Sequence, residues 1–144
     1  MKLVLGRRQA AEADIPFLLG LRRKTMDRHL SASGASTSEA DHMSRLMYRF
    51  ECAELLLQDG VPAGLLKVAR DGSDWQIIQI QLIPELQGRG LGAELLSEVI
   101  AEADAAEATL RLTVLKANPA RALYERLGFV VEGESDNQYN MRRC

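Results

Sequence analysis

The segment Gln87-Gly88-Arg89-Gly90-Leu91-Gly92 constrains this chain more than any other, because of what flanks it. Residues 75–83 form an apolar run that reads as a buried strand, and residues 91–106 carry apolar side chains at helical spacing. A strand that enters a glycine-rich turn and leaves as a helix presents free backbone N–H groups at the positive end of the helix dipole, where a phosphate binds. Glycines at 88, 90 and 92 leave room for close backbone approach. The turn therefore predicts an anionic ligand, and the surrounding chain indicates which one.

The remaining elements follow from periodicity and punctuation. Residues 3–5 suggest a first strand. Residues 12–30, with Ile15, Leu18, Leu19, Leu21 and Met26, predict a helix whose early Pro16 is tolerated in the first turn. The small, polar stretch SASGASTS at 31–38 reads as a loop, and 39–49 as a second helix. Residues 53–58, the Asp59-Gly60 turn and residues 63–69 form a hairpin signal, and Asp71-Gly72 turns the chain into 75–83.

Beyond the glycine turn, Leu91, Leu95, Leu96, Val99, Ile100 and Ala103 mark one helical face, with Glu94, Glu98 and Glu102 on the other. Residues 109–115 alternate and are rich in β-formers. Asn118-Pro119 is a helix start and Gly128 a left-handed helix end. Residues 129–131 and 138–141 remain as short final strands. The order β-α-α-β-β-β-α-β-α-β-β predicts an α/β fold with a mixed sheet and helices on its faces.

A length of 144 residues suits one domain spanning 1–144, and 47% hydrophobic with 26% charged residues is a globular composition. A net charge of −2 with a pI near 5.7 gives no general attraction to nucleic acid. No apolar segment is long enough for a membrane span, and Arg7-Arg8 follows the first residues too closely for a secretion signal, so a cytoplasmic location is expected. Cys52 and Cys144 show neither metal spacing nor a disulfide framework, and no metal site is expected.

The motif Gln87-x-x-Gly90-x-Gly92 after a strand ending in Pro84, followed by Asn118-Pro119-Ala120-Arg121-Ala122-Leu123-Tyr124-Glu125-Arg126-Leu127-Gly128-Phe129, resembles the GNAT superfamily of acyl-CoA-dependent N-acyltransferases, in its small, single-domain, bacterial form. The resemblance implies acetyl-CoA as cosubstrate and a primary amine as acceptor. It places the pyrophosphate of coenzyme A on Gln87, Gly88, Arg89, Gly90, Leu91, Gly92 and Ala93. It implies backbone pairing of Ile80, Gln81 and Leu82 with the pantetheine arm, on a strand that splays from its neighbour. Asn118 would help fix that arm, and Tyr124 would protonate the departing thiolate, the two pKa values lying within about two units of each other. Members are often dimers, so a homodimer is among the assemblies implied.

The chain departs from the family where a general base is usual. Gln76, Gln79 and Gln81 stand on the strand before the turn, and Thr113 on the next, at positions where relatives carry glutamate. A glutamine cannot act as a base, though it can orient water or hydrogen-bond a substrate. Glu51, Glu54, Asp41 and His42 are weak replacements on the variable acceptor side, and Tyr139 and Asn140 could border the acceptor pocket. Arg22, Arg23, Lys24, Arg28 and Arg45 cluster in the same region. They read either as a pocket for a carboxylate-bearing acceptor or as a solvated helix face. An acyl-CoA-binding sensor without turnover is the alternative class, favoured by the missing carboxylates and opposed by Tyr124.

Overall fold

The computed structural model describes residues 5–32 and 38–143. Its strands are β1 (Gly6–Gln9), β2 (Ala53–Gln58), β3 (Val61–Asp71), β4 (Asp74–Leu82), β5 (Thr109–Leu115), β6 (Val130–Glu134) and β7 (Gln138–Arg143). The helices are α1 (Ile15–Ala32), α2 (Glu39–Met47), α3 (Leu91–Ala105) and α4 (Arg121–Arg126). The element order is the expected one, and the strands join in one mixed sheet in the order β1-β2-β3-β4-β5-β7-β6. No helix among the described residues is long and apolar enough to cross a membrane.

Local chemistry explains most boundaries. Asp59 and Gly60 both take positive φ, 52° and 82°, as a tight two-residue hairpin turn between β2 and β3 requires. The Ser38 hydroxyl accepts from the Asp41 N–H at 3.2 Å and so caps α2. Gly128, at φ 101°, follows α4 as its left-handed end.

Four expectations need correction. The first strand is Gly6–Gln9 rather than 3–5; Leu5 lies outside it, and residues 3 and 4 lie outside the described residues. β1 is an edge strand paired only with β2, so a polar sequence can satisfy its backbone there without an apolar pattern. A 3₁₀ turn at Glu12–Asp14 precedes α1, which begins at Ile15 and puts Pro16 at its second position. The last helix begins at Arg121, because the Asn118 amide oxygen accepts from the Ala120 N–H at 3.0 Å and makes a turn of its own first. The loop expected at 31–38 overlaps the end of α1, and residues 33–37 and Cys144 lie outside the described residues.

The sheet separates two cores. On one face Leu66, Val68, Ile77 and Leu112 pack with Leu95, Val99 and Phe129. On the other, Leu55 and Leu65 pack with Leu18 and Leu21 of α1 and Leu46 of α2. On β3, an added Cβ at Gly64 would lie 2.3 Å from the Gln81 carbonyl oxygen of β4. Only glycine fits there.

Candidate active site

The site begins where two parallel strands part. β4 pairs with β5 over four positions, from Asp74 opposite Thr109 to Ile77 opposite Leu112. Beyond them β4 stays on β3 and β5 stays on β7, so residues 78–82 of β4 have a free edge toward β5. Ile78 is the cause. The β3 register passes from Val68 opposite Ile77 to Lys67 opposite Gln79, so Ile78 is an extra residue with no partner on either side. Such a bulge bends and twists its strand. The splay implied by the resemblance is therefore present, and a cleft of about 570 Å³ opens within it.

Gly88 and Gly90 both have positive φ, 77° and 78°, and Gly90 is the residue before α3. Side chains added at Gly88, Gly90 or Gly92 would meet nothing within 4 Å. Among the described residues, the backbone N–H groups of 88–93 donate to no backbone or side-chain acceptor, whereas Glu94 N–H closes the first helical turn onto the Gly90 carbonyl at 3.0 Å. An open, unsubstituted face with unengaged N–H donors at a helix start suits a pyrophosphate. Arg89 is exposed beside it, and Leu91 turns its side chain into the core. Gln87 supports the turn from below. Its Nε2 donates to the Leu82 carbonyl at 3.0 Å and ties the turn to the end of β4.

Ile80 and Gln81 line the cleft, together with Asn118 and Tyr124. Leu82 does not: it is buried in the core and its carbonyl is already engaged by Gln87. Tyr124 packs edge-on against Phe129, ring centroids 6.0 Å apart, and burial pushes its phenol above the ordinary tyrosine range. It is protonated at neutral pH and able to donate.

The candidate bases are not gathered here. None of Glu51, Glu54, Asp41 and His42 lines the cleft. Glu51 is held by Arg49 at 3.1 Å, and Glu54 lies 3.6 Å from Arg7. His42 is buried and accepts the Arg22 Nε–H at Nδ1, 3.1 Å away, so that nitrogen carries no proton and its lone pair is engaged. Tyr139 lies under the Arg121 guanidinium, 4.2 Å from its ring centroid, and Asn140 bonds Thr113 at 3.2 Å. Thr113 and Gln138 do reach the cleft.

Lys67, which sequence reasoning passed over, lies beneath the end of α2. It is fully buried on β3, and its ammonium donates to the carbonyls of Leu46 and Tyr48 at 2.7 Å each and of Arg45 at 3.3 Å. Its three protons meet three acceptors at the C-terminal end of α2, where the helix dipole favours a cation. The signal was available: a lysine inside the apolar run 63–69 must find partners when buried.

The description of the family model that matches residues 30–142 is an acetyltransferase (GNAT) domain. The chain belongs to the GNAT family. As an N-acetyltransferase of that family it shares its fold with solved relatives of low sequence identity. The PaiA N-acetyltransferase of Thermoplasma acidophilum, solved with coenzyme A, superposes with a TM-score of 0.75 at 16% identity, over 98% of this chain and 99% of that one. The ribosomal-protein-S18-alanine N-acetyltransferase of Escherichia coli gives 0.72 at 24% identity, over 97% and 93%. The N-acetylglutamate synthase of Neisseria gonorrhoeae, solved with coenzyme A and N-acetyl-glutamate, gives 0.71 at 19% identity, over 99% of this chain and 35% of the larger one. No curated protein sequence matches this GNAT chain.

Proposed function

We propose that this GNAT protein transfers the acetyl group of acetyl-CoA to a primary amine of a small molecule or peptide. The observation that carries the reading is that the free edge of 78–82 shares its cleft with Tyr124, and that the same strand leads into a glycine turn whose N–H groups are unengaged among the described residues. The turn at 88–93 would hold the pyrophosphate, and the free β4 edge and Asn118 the pantetheine arm. The neutral amine attacks the thioester carbonyl, so a C–N bond forms as the C–S bond breaks. The Tyr124 hydroxyl gives its proton to the departing thiolate. The backbone N–H groups freed at the Ile78 bulge would polarise the thioester carbonyl. No carboxylate lines the cleft among the described residues, so the amine's surplus proton leaves through water held by Gln79, Gln81 or Thr113. Most of the acceleration then comes from positioning.

The test is release of coenzyme A from acetyl-CoA with a panel of amino acids, polyamines, aminoglycosides and short peptides. The expected result is turnover with one acceptor class, falling about 10²-fold or more in Tyr124→Phe with acetyl-CoA binding retained. Binding of acetyl-CoA without turnover on any amine would overturn the enzyme reading in favour of a sensor.

A further inference from the structure

The acceptor side of the cleft has a definite charge pattern. Beyond the bulge, Gln79 and Gln81 lie on the same face of β4, opposite Lys67 and Leu65, which is the face covered by α1 and α2. Both side-chain oxygens are buried without a hydrogen-bond partner, and Gln81 is only 5% exposed. A buried amide oxygen without a partner is costly, and two of them in a cleft wall mark the place of a donor that arrives with a ligand. An amine nitrogen is such a donor.

The charged groups on the wall are Arg22 and Arg45, and no carboxylate lines it among the described residues. Arg22 is 5% exposed, so its position is built into the fold. Its Nε is oriented by His42, and its charge reaches Lys67, which it helps to hold below the ordinary lysine range. Arg45 extends from α2 at the cleft's exposed rim. Among the described residues, Glu39 pairs with Arg23 at 2.6 Å, and Glu51 and Asp71 with Arg49 at 3.1 Å each. The phosphates of coenzyme A do not account for the two arginines. The glycine turn that suits them adjoins α3, which packs on the opposite face of the sheet.

We infer that the acceptor is an amine bearing a carboxylate, an amino acid or a related small zwitterion, rather than a polycation. This rests on the acetyl-transfer reading. Arg22 and Arg45 take the carboxylate, while the Gln79 and Gln81 oxygens accept from the amine as it faces the thioester. A polyamine or aminoglycoside would bring further positive charge against two guanidiniums and find no carboxylate to meet it.

Matched acceptors test this: L-amino acids, their methyl esters, the corresponding decarboxylated amines, and spermidine, assayed by coenzyme A release. The free acid is expected to exceed its ester in kcat/KM by about tenfold or more, the size of one lost charge-assisted hydrogen bond. The preference should lie mainly in KM and shrink in both Arg45→Gln and Arg22→Gln. Arg45 is exposed, so Arg45→Gln with the wild-type ratio decides the matter even if Arg22→Gln fails to fold. Equal or better turnover of esters, decarboxylated amines or spermidine, still dependent on Tyr124, would overturn the carboxylate inference and leave acetyl transfer standing. Binding of acetyl-CoA with no turnover of any amine would overturn both.

Discussion

The buried ammonium of Lys67 on β3 lies 2.7 Å from the carbonyl oxygen of Leu46 on α2. That contact, with those to Arg45 and Tyr48, fixes the end of α2 over the sheet, and the same end carries Ser44, Arg45 and Tyr48 into the cleft wall. Lys67 thus positions that wall of the cleft.

Replacing Lys67 by Met leaves three helix-end carbonyls without their donor. The lost bonds are expected to outweigh the relief of burying a charge, destabilising the fold by about 2–4 kcal/mol near neutral pH. Burial lowers the folded pKa from 10.5 to about 8, with Arg22 adding a smaller push. The unfolded chain therefore binds the extra proton between those values, and wild-type stability gains as pH rises through them, by up to about 3 kcal/mol. Urea unfolding of both proteins at neutral and alkaline pH should show the gap widening upward. A gap that narrows would refute the assignment. KM for the acceptor should rise in the mutant more than KM for acetyl-CoA.

Gly64→Ala places a Cβ 2.3 Å from the Gln81 carbonyl oxygen, a backbone atom that cannot swing aside. The strands must separate, at a cost of about 1–3 kcal/mol, as overpacking in a tight interior does. Thermal unfolding measures the loss. Because Gln81 lines the cleft, activity should fall even at temperatures where the variant remains folded.

Gly90→Ala behaves differently. Its Cβ has open space, so the structural cost is confined to φ 78° and amounts to about 1–2 kcal/mol. That open space is where a pyrophosphate would approach the N–H groups. The dissociation constant of coenzyme A, by calorimetry, should rise about tenfold or more, well beyond the change in folding stability. An unchanged affinity would move the phosphate site away from the turn.

Tyr124 must hold its proton to serve as a general acid. Burial raises its pKa above the ordinary value of 10.0, so its protonated form persists throughout the neutral and mildly alkaline range. The rate constant kcat should show no loss from this group until pH exceeds about 10. An alkaline limb near pH 8 that disappears in Tyr124→Phe would contradict the role.

The element order, the glycine turn and the Asn118–Tyr124 segment were legible because each is written in local chemistry. Glycines allow positive φ, an Asx turn closes on its own neighbours, and a 3.6-residue apolar period needs no distant partner to be read. The failures were local too: β1 is polar because an edge strand tolerates it, and α4 starts late because Asn118 makes its own turn first.

The acceptor side belonged to the tertiary structure. Nothing in the local sequence says that Ile78 would be the extra residue that parts β4 from β5, since that depends on the register with Lys67 and Val68. Among the described basic residues of this region, packing placed Arg22 and Arg45 on the cleft and paired Arg23 with Glu39. His42 became a buried partner of Arg22 rather than a base. The sequence by itself determined where the glycine turn and Tyr124 stand along the chain, because backbone geometry and side-chain type suffice for both. Which charges line the cleft was decided only by folding, because burial and pairing join residues that the chain keeps far apart.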